Sequence, residues 1–258
     1  MKKSTKILLI VLCVVFVGVF GFSAFKIAST LLGYKKAETA NEELKTQYVT
    51  IAEATPTPVA QPKDDTDPEV SPINVDFSSL RRQNEDCVAW IYGPNSVINY
   101  PIVWCDNNFY YLDHLLSGEQ NANGTIFVDT KCGADFSDQN TIVYGHNMND
   151  GSMFASLRNY RDESYYEGHE RLYMSTPDTN YRIDVIAGFV TEPTSYVYAN
   201  TFEEPEQFEA YIESIKSESN FKADVDVKPD DKIVTLSTCT YEIDDGRYVI
   251  IGKLVKIH

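Results

Sequence analysis

Basic residues are scarce in this chain. It carries 22 Lys and Arg against 38 Asp and Glu, for a formal net charge of −16. So acidic a surface repels phosphate backbones, which argues against nucleic acid as a partner. Cysteine is sparse and poorly arranged for structural work. The five thiols, Cys13, Cys87, Cys105, Cys132 and Cys239, include no C-x-x-C pair and no zinc-finger spacing. Neither a disulfide framework nor a structural metal is expected, and for Cys87, Cys105 and Cys132 the bland reading is that of small buried hydrophobes. The familiar hydrolase signatures are missing as well. "HERLY" has Tyr173 where a zinc-protease helix needs its second histidine, and there is neither a Gly-x-Ser-x-Gly elbow nor a glycine-rich phosphate loop.

Long apolar runs are limited to one. "ILLIVLCVVFVGVFGFSAF", Ile7 to Phe25, holds 19 residues without a charge. As a helix it reaches roughly 28 Å, close to the hydrocarbon thickness of a bilayer at about 30 Å. A cleaved leader has a shorter apolar core and a small-x-small site, for which "FSAFKIAS" is only a poor match, so an uncleaved membrane anchor is expected. Lys2, Lys3 and Lys6 before the span are balanced by Lys26, Lys35 and Lys36 after it, so lysine counting leaves the orientation open. Residues 34–50 are polar and charged, a composition compatible with a short helical continuation of the anchor. "ATPTPVAQPKDDTDPEVSP" (54–72), with five prolines and no aromatic residue, is expected to be an extended spacer. The expected organisation is a tail at 1–6, an anchor at 7–25, a stalk and linker at 26–72 and a folded domain at 73–258.

Within that domain a short helix precedes a series of strands. Asp76 is a good N-cap for "DFSSLRRQNED", with Phe77 and Leu80 on one side. "CVAWIYG", "SVINYPIVW", "GTIFVD", "NTIVYGH", "ERLYMST", "YRIDVIAGFVTEP", "KIVTLSTC" and "RYVIIGKLVKI" predict eight strands. Phe208, Tyr211, Ile212 and Ile215, spaced i, i+3, i+4, i+7 after Pro205, predict a long helix between the sixth and seventh. Eight strands with scattered helices predict a mainly β, closed barrel.

Three residues attract attention as chemistry. Alternation along "IVTLSTC" puts Ile233, Thr235, Ser237 and Cys239 on one face and Val234, Leu236 and Thr238 on the other. The second set reads as core. The first grows more polar toward Cys239, as a groove floor would. Seven residues separate Cys239 from Arg247. A hairpin over them brings the guanidinium to the thiol, where it favours thiolate and can stabilise an oxyanion. An ion pair of Arg247 with Asp244 or Asp245 is the equally plain alternative. His146, at the end of "TIVYGH", suits a general acid and base, with an exposed loop histidine as its bland counterpart.

The ordered series "WIYG…INYPIV", "DNNFYYL", "NGTIFVD", "IVYGHNM", "LSTCTY" and "GRYVIIGKLV" resembles a sortase, the cysteine transpeptidase of Gram-positive cell surfaces, from about Ile73 to the end of the chain. Class B fits best, since helices stand before the barrel and before the cysteine strand. The resemblance implies an eight-stranded sortase barrel in which Cys239 is the nucleophile, His146 the proton carrier and Arg247 the oxyanion donor. It implies that Ser237 and Thr238 beside the cysteine, with Asn108, Leu112 and Tyr196, line the signal pocket. It implies substrates bearing an Asn-Pro-x-Thr-x sorting signal, an acceptor amine on a peptidoglycan cross-bridge or lipid II, no cofactor, a cytoplasmic N-terminus and an external catalytic domain. A surface thiol protease, a pilus-assembling enzyme or a non-catalytic surface binding module are the competing expectations.

Overall fold

The computed structural model describes residues 3–51 and 69–258; residues 54–68 of the expected spacer lie outside them. A single helix α1 (Lys3–Tyr48) is followed by β1 (Val49–Ile51), β2 (Ile73–Val75), α2 (Phe77–Gln83), β3 (Cys87–Tyr92), β4 (Asn99–Val103), β5 (Ile126–Val128) and β6 (Asn140–Tyr144). Then come α3 (Glu163–Gly168), β7 (Arg171–Ser175), β8 (Asn180–Thr191), α4 (Pro205–Glu218), β9 (Ile233–Cys239) and β10 (Arg247–Ile257). The eight strands β3 to β10 close a barrel in the order β10-β8-β7-β3-β4-β5-β6-β9. All eight stretches that alternate in the sequence form these strands, and α4 lies between the sixth and seventh. Two neighbours, β4–β5 and β6–β9, run parallel, and the other pairs are antiparallel.

Three apolar clusters hold this arrangement. Inside the barrel, Ile91, Ile102, Ile126, Ile142, Val234, Leu236 and Ile250 interdigitate. Outside it, Phe208, Tyr211, Ile212 and Ile215 of α4 cover Phe189, Ile233, Val249 and Ile251. Each of those α4 side chains contributes about 1.5–3 kcal/mol of gross burial, which is what keeps a helix of 14 residues on the barrel wall. A third cluster packs Leu44 and Tyr48 of α1 with Phe77 and Leu80 of α2 against Trp90, Val103 and Phe127. Asp76 caps α2 by accepting from the Ser79 amide at 3.0 Å.

Helix α1 continues well past the apolar run. Its first part is wholly exposed, whereas Ala37, Leu44 and Tyr48 are buried against the barrel. β1 then pairs with β2, so part of the segment expected as stalk is packed structure. These three buried residues lie on one helical face among polar neighbours, a stripe too thin to stand out in composition.

Candidate active site

Strand register assembles the site. β6 and β9 are parallel with Tyr144 opposite Ser237, so His146 and Cys239, each two residues further on, leave the sheet side by side. Neighbouring strands lie about 4.8 Å apart, which brings imidazole and thiol to one rim although about ninety residues separate them. On the other side of β9, antiparallel pairing sets Arg247 opposite Cys239. Side-chain alternation follows the expected sense. Val234 and Leu236 enter the barrel core, Ile233 lies under α4, and Thr235 Oγ1 donates to Asn140 Oδ1 at 2.9 Å. Ser237 and Cys239 continue that outer face into an open cavity of about 310 Å3.

His146 is held on both sides. The Gly145 amide donates to the Ser237 carbonyl at 3.1 Å, and the Phe154 amide donates to the His146 carbonyl at 2.9 Å. A Cβ at residue 145 would stand 2.6 Å from the ring of Phe154, so only glycine permits this approach. The His146 ring lies with Nε2 2.7 Å from the Leu112 carbonyl. A carbonyl only accepts, so Nε2 carries the hydrogen, and Nδ1 is the nitrogen left for proton traffic in the neutral ring. The next residue, Asn147, donates from Nδ2 to the Cys239 carbonyl at 2.9 Å and ties the histidine loop to the cysteine strand.

Arg247 makes the expected ion pair and also stands opposite Cys239 at the cavity. Its Nη1 donates to the Asp245 carbonyl at 2.8 Å, the Asp245 carboxylate at 2.9 Å and the Gly246 carbonyl at 3.1 Å. Asp245, not Asp244, is the ion-pair partner. The side chain nonetheless lines the cavity with Cys239 and His146. Burial pulls the guanidinium pKa down, but Asp245 and the neighbouring Cys239 outweigh it and raise the pKa above its usual value.

Of the five expected pocket residues, Ser237, Thr238, Asn108 and Leu112 line this cavity and Tyr196 does not. The Tyr196 hydroxyl instead donates to Glu218 of α4 at 2.6 Å. Two residues on, Tyr198 occupies the cavity wall, and its hydroxyl lies 3.0 Å from Ser237 Oγ. Burial raises the pKa of Tyr198, so its hydroxyl stays protonated. Asn108 is engaged in the scaffold, donating to Asp129 at 3.2 Å and accepting from the Thr130 amide at 2.9 Å. Phe109, Tyr198 and Asn147 were not singled out from the sequence. Asn147 was the most findable, because it directly follows the histidine.

The other thiols and imidazoles have quieter settings. Burial pushes Cys87 up to about 12 and Cys132 up to about 11. Cys105 departs from its expected burial: it is only partly covered, because it lies two residues past the end of β4, where the chain has left the sheet. His114 and His169 each bond a carbonyl four residues back, Tyr110 and Tyr165, at 2.8 Å. Larger hollows of about 600 and 590 Å3 lie elsewhere on the surface, and neither contains a cysteine. Among the described residues no three His, Cys, Asp or Glu side chains converge as metal ligands.

The sequence and fold match those of known proteins. The Sortase domain family matches residues 94–255. Sortase B of Listeria monocytogenes is 37% identical over 246 residues, covering 95% of this chain and 95% of that protein. The crystal structure of sortase B from B. anthracis in complex with AAEK1 superposes with a TM-score of 0.73 at 32% identity, covering 88% of this chain and 99% of that one. A Staphylococcus aureus sortase B–substrate complex matches with a TM-score of 0.67 at 30% identity, covering 70% of this chain and 85% of that one.

Proposed function

This chain belongs to the sortase family, as a class B cysteine transpeptidase, and from that premise we propose which residues carry the reaction and on what substrate. The Cys239 thiolate attacks the threonine carbonyl of an Asn-Pro-x-Thr-x type sorting signal. Arg247, with nearby backbone N–H groups, stabilises the oxyanion of the tetrahedral intermediate. His146 hands a proton to the departing amine as the C–N bond breaks, leaving a thioester on Cys239. An amino group of a peptidoglycan cross-bridge or lipid II then attacks the thioester. Its proton passes to His146, the new amide forms, and the thiolate leaves. No cofactor enters, because the thioester conserves the acyl energy of the cleaved bond. Asn108, Leu112, Ser237 and Thr238, together with Tyr198, bound the slot that takes the signal, with Tyr196 outside it.

The observation that carries this reading is that sulfur, imidazole and guanidinium border one cavity with its mouth open to solvent. The same reading treats residues 7–25 as a membrane span, with residues 1–6 in the cytoplasm and the catalytic domain 73–258 outside the cell. A wholly exposed apolar helix supports that arrangement, since it has no protein surface to cover it. The test is a peptide assay with an added amine. The parent protein yields the amide, and Cys239→Ala yields neither amide nor free acid while keeping its thermal transition. Undiminished amide formation by that variant would remove Cys239 from the scheme.

A further inference from the structure

The active-site hairpin has two faces. Cys239 and Arg247 look into the cavity, whereas Tyr248 and Thr240 look into the barrel end, where both are buried. Across that end runs a 3-10 segment, Phe154–Arg161, whose Phe154, Leu157 and Tyr160 are buried in the barrel core. The segment is therefore anchored to the core by three side chains, and its last residue is Arg161. The Arg161 guanidinium lies over the Tyr248 ring, 5.0 Å from its centroid. It donates from Nη2 to Thr240 Oγ1 at 3.0 Å and is ion-paired to Glu242. Thr240 in turn donates to Glu242 Oε1 at 3.0 Å. Arg161 does not border the catalytic cavity.

We propose that Arg161 is a positioning residue, clamping the β9–β10 loop from behind so that the thiol of Cys239 and the guanidinium of Arg247 keep their catalytic spacing. The proposal rests on the assignment of those two residues as nucleophile and oxyanion donor. The loop needs such a clamp. Its base is closed by the Thr240 amide donating to the Gly246 carbonyl at 2.9 Å, but Tyr241 is 81% exposed and Ile243 41%, so the loop has little core of its own. Asp245, which fixes Arg247 Nη1, sits at φ +52°, in the left-handed region that aspartate enters more readily than most residues, so this turn depends on contacts such as its bond to Arg247. Arg161 acts on both ends of the arrangement. Through Thr240 it holds the residue after the nucleophile. Through Glu242 it holds the loop that leads to Asp245 and Arg247.

The clamp is half-exposed, with the Arg161 and Glu242 side chains 35% and 48% accessible, so its weight in global stability is small. Its weight in geometry is larger, since a displacement of about 1 Å at a reacting pair costs about 10²-fold in rate. That contrast is the test. The full-length chain in detergent micelles is given a quenched Asn-Pro-x-Thr-x peptide, and single-turnover acylation, KM and thermal midpoint are read for Arg161→Met, Thr240→Val and Arg161→Lys. Arg161→Met and Thr240→Val are expected to slow acylation by about 10- to 100-fold with KM within about twofold. The thermal midpoint is expected to move by no more than about 4 °C. Arg161→Lys, which reaches Glu242 but lacks the fork to hold Thr240 as well, is expected to fall between parent and Arg161→Met. Acylation within about twofold of the parent in both Arg161→Met and Thr240→Val overturns the clamp. So does a loss of rate that merely tracks unfolding, seen as alkylation of the buried Cys87 and Cys132. Cys239→Ala run beside them separates the two readings: turnover in that variant sinks the underlying assignment, whereas its absence together with parent-like Arg161→Met and Thr240→Val sinks the clamp alone.

Discussion

Replacing Arg247 separates an anchor from an oxyanion donor. In the structure Nη1 is consumed by its own loop, with three acceptors at 2.8, 2.9 and 3.1 Å. Catalysis then has to draw on the remaining guanidinium donors at the cavity. Arg247→Met removes both functions. The anchoring part is worth little, since the Asp245 partner is 73% exposed and such pairs contribute about 0–1 kcal/mol. The oxyanion part is worth more: loss of one preorganised donor costs about 10²–10³-fold in kcat, or about 2.7–4 kcal/mol. Arg247→Met should therefore lose activity by that factor while unfolding within about 1 kcal/mol of the parent. Arg247→Lys keeps the charge but offers a compact ammonium that serves Asp245 or the oxyanion, not both, and should recover less than about a tenth of parent activity. The assay is steady-state cleavage of a quenched signal peptide, paired with urea denaturation. If Arg247→Met turns over within about threefold of the parent, the guanidinium is a loop anchor only and the reasoning fails.

Three further outcomes follow from the same structure. Gly145→Ala places a methyl 2.6 Å from the buried Phe154 ring, so it should cost roughly 1–3 kcal/mol in a denaturant titration and lower kcat by displacing His146; unchanged values for both would contradict the tight approach. A neutral alkylating reagent at pH 8, followed by peptide mapping, should label Cys239 first and Cys105 more slowly. Cys87 and Cys132, with thiols pushed to about 12 and about 11, should react only after denaturation. Asp76 is held down to about 2 by hydrogen bonds from Ser79 and Ser78. Its folded pKa is below its unfolded one, so the stabilisation is present above about pH 4 and lost as pH falls through about 2. Asp76→Asn should therefore show a shallower drop of thermal midpoint between pH 4 and pH 2 than the parent, and identical slopes would refute the cap's role.

What the sequence made legible is what local pattern encodes. The eight alternating stretches became the eight barrel strands, and the spacing of Phe208, Tyr211, Ile212 and Ile215 became the buried face of α4. The Cys239–Arg247 pairing was also readable, because a short hairpin fixes it locally. Its place at the end of a β-run marks His146 as a candidate acid and base, but no local signal sets it beside Cys239. Its meeting with Cys239 depends on β6 lying parallel to β9, a long-range register to which only the resemblance to sortases pointed. The expectation of Tyr196 at a cavity where Tyr198 stands shows the same limit on a finer scale. Both lie in one 3-10 turn, Tyr196–Tyr198, and the turn's phase, set by buried Val197, sends one ring toward α4 and the other to the cavity. Asn147 and Arg161 act on backbone and loop rather than on a reacting atom, so residue type alone did not mark them.

The central claim is that Cys239 carries the acyl group. Mixing the protein with a sorting-signal peptide in the absence of amine, quenching in acid and measuring intact mass tests this directly. The account predicts an adduct equal to the signal cut after threonine, mapping to Cys239 and released by hydroxylamine. An adduct on Cys105, or amide product formed with no adduct on Cys239 at any time, would contradict it.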